Sequence, residues 1–187
     1  SELSWINPSP NASSVNMARC FPGTVLFEGT TLSEGRGTAT PLEMVGAPDI
    51  DFPRILRRAE ALAPHWLTGC QIRCCHFEPT FQKHMGSLCA GLQIHTDYAA
   101  YDHHGFKPYR LGALLLKAIR REYPDYDLWH RLPFEYETER LAIDLLAGGT
   151  FLRDWVDDSS ATAADLENRL VKDEKQWIET CRHLWLY

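Results

Sequence analysis

Apolar positions in residues 109–123 fall at helical spacing: Leu111, Leu114, Leu115, Ala118 and Ile119 share one stripe, and Pro124 stops it. An earlier helix is predicted from Asp51, a capping residue, with Pro53 in its first turn, Ile55, Leu56, Ala59 and Leu62 as its stripe, and Pro64 beyond its end. Between these two helices the period changes to two. Residues 71–77 read as a strand, and residues 88–96 as a clearer one. There Leu88, Ala90, Leu92 and Ile94 form an apolar face, with Cys89, Gly91, Gln93, His95 and then Asp97 on a polar face. Further on, residues 143–147 read as a short helix closed by Gly148 and Gly149. Thr150 caps another helix carrying Leu152, Trp155 and Val156. The last helix runs over 163–184, with Thr162 and Asp165 in a capping-box pattern and Leu166, Leu170, Trp177 and Cys181 on its buried face.

The first 48 residues are different. They are rich in Pro, Gly, Ser, Thr and Asn and predict ordered loop with one short strand over 24–27. Helices outnumber strands without alternating with them, which gives an α+β fold: a small mixed or antiparallel sheet, several helices and a long C-terminal helix. The 187 residues suit one domain, and 44% hydrophobic content supplies a core. A net charge of −6 argues against nucleic acid or an anionic membrane as partner, and no apolar run reaches membrane-spanning length. A signal-peptide pattern is absent, which means little for a chain that begins at Ser1. Cys70, Cys74, Cys75 and His76 lie close together but read as small thiols on a half-buried strand rather than as a zinc site, and no metal is expected.

Four places carry candidate chemistry. The segment from Phe27 to Thr38 packs Glu28, Glu34 and Arg36 among glycines that include Gly35 and Gly37. Arg36 has an open approach and a fork that fits a carboxylate; pairing of Arg36 with Glu28 or Glu34 in a structural loop is equally open. Gln93, His95 and Asp97 share a strand face on which three polar side chains can meet one ligand, and His95 with Asp97 has the form of an oriented base. The plainer reading there is a half-exposed strand with a hydrogen-bonded histidine. His84 is a lone loop histidine, and Asp102-His103-His104 lacks a third strong metal ligand. Phe134-Glu135-Tyr136-Glu137, after Trp129 and Pro133, combines aromatics and carboxylates in a way that suits a sugar or an interface. Glycoside hydrolysis needs two carboxylates, and Glu28, Glu34, Glu135 and Glu137 are on offer. Serine-triad, P-loop and dinucleotide signatures are missing.

Taken in order, several runs resemble the NamZ family of exo-β-N-acetylmuramidases. They are Asn7-Pro8-Ser9-Pro10-Asn11; Phe21-Pro22-Gly23; the glycine-rich segment through Pro41, with Gly46-Ala47-Pro48; Phe77-Glu78-Pro79-Thr80-Phe81, with Lys83, His84 and Gly86; Cys89 through His95; Ile143, Asp144, Leu146 and Gly148; and the closing Leu184-Trp185-Leu186-Tyr187. Asp49 stands where an aromatic is common, and Trp185 where leucine is common. The resemblance implies a periplasmic or secreted bacterial enzyme that releases N-acetylmuramic acid from non-reducing ends of peptidoglycan, without a metal or organic cofactor. It implies that residues 1–22 connect from a missing N-terminal Rossmann-like domain, that 23–187 form the C-terminal domain, and that the active site lies between the two. A muramyl oligosaccharide and that missing domain are then the expected partners. Arg36 is expected on the lactyl carboxylate of muramic acid. Glu28, Glu34 and His95 are candidates for the chemistry, and Gly35, Gly37, Gln93, Asp97, His84, Glu135 and Tyr136 for substrate contact.

Overall fold

The computed structural model of the chain describes residues 4–131 and 133–185; Leu186 and Tyr187 of the closing run lie outside them. Among the described residues, six α-helices pack with one three-stranded antiparallel sheet, β1 (Met44–Ala47), β2 (Gln71–Phe77) and β3 (Cys89–His95), in the order β1-β3-β2. The α+β expectation holds. Met44 pairs with Gln93 on one side of β3, and Arg73 pairs with Gln93 on the other.

α3 (Pro108–Glu122) is the hub. Leu111, Leu114, Leu115, Ala118 and Ile119 are buried, and so are Ala113, Leu116 and Lys117 from outside the predicted stripe. Almost the whole circumference is covered, by α1 (Val15–Thr24), α2 (Phe52–Leu62) and α5 (Phe151–Asp157). Each buried leucine there contributes roughly 1.5–3 kcal/mol. Lys117 is admitted to this apolar layer because its ammonium donates to the Trp155 and Asp158 carbonyls at the end of α5 and lies 4.8 Å over the Trp155 ring. α2 starts as expected, with the Asp51 carboxylate accepting from the Arg54 N–H at 3.0 Å.

Five expectations are corrected. Residues 24–27 are not a strand: Thr24 ends α1 and Val25–Gly29 is a 3₁₀ turn. Ser14 starts α1, its hydroxyl accepting from the Met17 N–H at 2.9 Å. Pro22 and Gly23, within the stretch that read as loop, fall in its last turn. Gly23 is needed there because a Cβ would stand 1.9 Å from the Pro108 carbonyl oxygen at the start of α3. The polar face of β3 is not open either. Cys89, Gly91 and Gln93 are buried between β1 and β2, and the Phe77 ring lies against Gly46 and Gly91. Leu88, assigned to the apolar face, is exposed just before the strand. Thr150 does not cap α5 with its side chain, which donates to Asp154 instead.

The last correction is in α6 (Ala163–Cys181), whose Asp165 accepts from the Thr162 backbone N–H and hydroxyl at 2.7 Å each. Leu166 and Leu170 are buried, but Trp177 is 69% exposed: the core ends before the helix does. Buried Arg110 holds this helix through Glu167 and Glu174, at 2.7 and 2.6 Å.

Candidate functional site

The glycine-rich segment leaves the 3₁₀ turn and is fastened at both ends. Thr31 N–H donates to the Leu128 carbonyl, and Ser33 and Gly46 exchange backbone hydrogen bonds at 2.9 Å, tying it to β1. Gly35 and Gly37 both have positive φ, 80° and 82°. Gly37 is also a point of close approach: a Cβ would stand 2.7 Å from the Phe81 nitrogen, and Thr80 N–H donates to the Gly37 carbonyl at 3.0 Å. That contact draws the β2–β3 loop over the segment and delivers Lys83 to it.

The result is a compact charge cluster. Arg36 donates through Nη2 to Glu28 and lies with Nε 3.2 Å from Glu34. Lys83 donates to the other Glu34 oxygen at 2.9 Å and to the Phe27 and Glu28 carbonyls at 2.8 and 3.3 Å. The Glu34 side chain is 3% exposed, so two cations hold a carboxylate that water hardly reaches. Burial pulls the Lys83 ammonium below its ordinary range, against the opposing pull of Glu34. His84 turns away from the cluster, its Nε2 donating to the Thr31 carbonyl at 2.9 Å.

Glu28, Glu34, Arg36 and Lys83 open into a cavity of about 440 Å³, whose other walls include His130, Phe134 and Glu135. A second cavity shares Glu28, Phe134 and Glu135 with it and adds Tyr136, Arg140, Leu145 and Leu146. Strain gathers around the first. Gln82, His84 and Glu135, none of them glycine, have φ of 69°, 58° and 51°; Gln82 and Glu135 line the cavity itself.

Thus Glu28, Glu34, Arg36 and Glu135 come together, with Tyr136 at the adjoining cavity and His84 in the covering loop. Gln93, His95 and Asp97 form a separate group. Arg73 of β2 donates to Gln93 at 2.5 Å and to His95 Nε2 at 2.9 Å, while His95 Nδ1 lies 3.8 Å from Asp97. None of the three lines either cavity. Asp102 accepts from the His104 N–H at 3.0 Å, and among the described residues no three His, Cys, Asp or Glu side chains are placed to hold a metal ion.

Lys83, Gln82 and His130 are the site residues that sequence reasoning passed over. A lysine beside a lone histidine in a glycine-flanked loop was the available signal for Lys83. His130 carried none, being placed only by its N–H donating to the Gly29 carbonyl at 3.0 Å.

Comparisons with known proteins agree along the whole chain. The family model described as exo-β-N-acetylmuramidase NamZ, C-terminal, matches residues 19–187. The peptidoglycan β-N-acetylmuramidase NamZ of Bacillus subtilis (strain 168) is 32% identical over 185 residues, covering 99% of this chain and 41% of that protein. Crystal structures of two DUF1343 family proteins from Bacteroides fragilis NCTC 9343 share the fold. One has a TM-score of 0.74 at 19% identity, covering 99% of this chain and 46% of its own; the other has 0.65 at 20%, covering 97% and 44%. The chain therefore spans less than half the length of each of these relatives.

Proposed function

The chain belongs to the NamZ C-terminal family, and from that premise we propose that it forms one wall of the substrate cleft in a peptidoglycan glycoside hydrolase. The activity proposed is release of N-acetylmuramic acid from non-reducing ends. The facing wall comes from an N-terminal domain joined through the residues that precede α1, and the cell-wall substrate puts the enzyme in the periplasm or outside the cell. The observation that carries this reading is the Glu28–Arg36–Glu34–Lys83 cluster, opening into one cavity beside Phe134.

N-acetylmuramic acid differs from N-acetylglucosamine by an anionic lactyl group, and a site that selects it needs a cation held in place. Arg36 is held by Glu28 and Glu34 through Nη2 and Nε, while its Nη1 has no partner among the described residues. That edge receives the lactyl carboxylate. Glu28, the more exposed of the two carboxylates, accepts sugar hydroxyls or orients the attacking water, while Glu34 holds Arg36 and Lys83 at the cavity wall. Lys83 is a positioning residue: it fixes the buried Glu34 and the carbonyl end of the 3₁₀ turn that carries Glu28. Phe134 offers a ring to the apolar face of the sugar.

Both cluster carboxylates are already engaged by cations, which favours one further reading, a carbohydrate-binding module with no chemistry of its own. The full-length protein and this chain, assayed side by side on a chromogenic β-N-acetylmuramic acid glycoside, decide between them. The proposal expects release by the full-length protein only. Release by neither, with muramic acid still bound, leaves the binding module.

A further inference from the structure

Tyr136 is 101% exposed, its ring bare on both faces, yet the chain around it is firmly held. Phe134 and Glu137 exchange backbone hydrogen bonds at 3.1 and 3.0 Å, closing a two-residue turn with Glu135 and Tyr136 at its tip. Glu135 takes φ 51° there, a left-handed conformation for which tight turns favour glycine. Behind the tip, the Glu137 carboxylate accepts from the Glu139 N–H at 2.8 Å, from Arg140 Nε at 2.9 Å and from the Thr138 N–H at 3.0 Å. The Glu139 N–H foremost, and then Arg140, hold its carboxyl down at about 2. A strained, braced turn that projects an aromatic ring into water presents that ring for contact.

The ring stands where the two cavities adjoin. Both include Glu28, Phe134 and Glu135, but only the second includes Tyr136, together with Leu145 and Leu146. The charged cavity suits an anionic muramyl residue, and the second, richer in apolar side chains, suits a neutral ring. We propose that Tyr136 is a stacking platform for the leaving sugar, the pyranose joined to the anomeric carbon of the muramyl residue. This assignment rests on the muramidase reading above. A pyranose presents a flat face of C–H groups that packs on an aromatic ring, and a two-residue tip lets the ring lie along that face with little side-chain entropy to lose.

The test uses the full-length enzyme with two substrates: a disaccharide of N-acetylmuramic acid β-linked to N-acetylglucosamine, and the methyl β-glycoside of N-acetylmuramic acid, which has no leaving ring. Tyr136→Ala lowers kcat/KM on the disaccharide about five- to tenfold and changes the methyl glycoside less than about twofold, while Tyr136→Phe keeps the disaccharide rate. Equal losses on both substrates, or none on the disaccharide, overturn the assignment; equal losses with a lowered melting temperature give the ring to a domain interface instead. A wild-type enzyme that hydrolyses neither substrate sinks the muramidase reading and this platform with it, a result distinct from any pattern among the variants.

Discussion

Two lysines in this chain, Lys117 buried and Lys83 half-buried, do the same thing in opposite surroundings. Lys117 donates to two carbonyls at the end of α5, and Lys83 donates to two carbonyls of the 3₁₀ turn before the glycine-rich segment. Around Lys117 lies the apolar packing of α3, so the ammonium adds one fastening to an interface that leucines already close. Around Lys83 such packing is thinner: Phe27 and Leu32 anchor the segment in the core, and the rest of 28–38 is held by backbone pairings, two glycines with positive φ and an ion cluster. In the helical half, polar contacts trim a structure made by burial. In the loop half they hold what two buried apolar anchors leave open, and the same contacts are what a ligand would meet.

The comparison predicts opposite outcomes for two substitutions. Leu114→Ala in the α3 layer costs about 2–5 kcal/mol and lowers the melting temperature of the chain by about 5–15 °C. Below that temperature the full-length enzyme keeps its kcat/KM. Lys83→Met costs less stability, about 1–3 kcal/mol, because Arg36 still pairs Glu34. Its kcat/KM on a muramyl glycoside falls on the order of a hundredfold. A Lys83→Met enzyme that melts like Leu114→Ala but turns over like wild type would erase the distinction.

Smaller effects sharpen it. Arg36→Lys keeps the charge but loses the fork that holds Glu28 and Glu34 together, so kcat/KM on muramyl substrates drops about tenfold with under about 1 kcal/mol of destabilisation. Unchanged kinetics would take Arg36 out of the site. Lys117 gives the smallest signal, one of pH. Burial lowers its ammonium to about 8 from 10.5, so between those values the unfolded chain binds more protons than the folded one, and stability rises with pH. The gain is on the order of 1–2 kcal/mol. Burial pushes the Cys70 thiol up to about 11, which opposes the rise above its ordinary range of 9. The readout is therefore the difference between wild type and Lys117→Met in chemical denaturation at pH 7.5 and 9.5. A difference that stays flat with pH contradicts the burial argument.

Legibility followed the same divide. α2, β2 and α3 were readable because one period and one cap or stop fix each of them. Residues 24–27 misled because the Pro-, Gly-, Ser-, Thr- and Asn-rich composition of the first 48 residues reads as loop, whereas Gly23 serves α1 by its close approach to Pro108, a residue far along the chain. The covered face of β3 depends on Phe77 and two neighbouring strands, and the exposed Trp177 on where the core ends; neither is a local property. In the site, the pairing of Arg36 with Glu28 and Glu34 was one of two open readings because they lie within one short segment. Lys83 meets Glu34 across 49 residues of sequence separation, which no spacing announces. Gln93, His95 and Asp97 share a face as expected, and Arg73 from the adjacent strand engages the first two.

A crystal structure of the full-length enzyme with N-acetylmuramic acid decides whether the Arg36 cluster is the muramic-acid side of a cleft. The lactyl carboxylate is expected within hydrogen-bonding distance of the Arg36 guanidinium, with Glu28 and Glu34 still flanking it. A sugar bound with that carboxylate on any other cation, and Arg36 untouched, would contradict that placement.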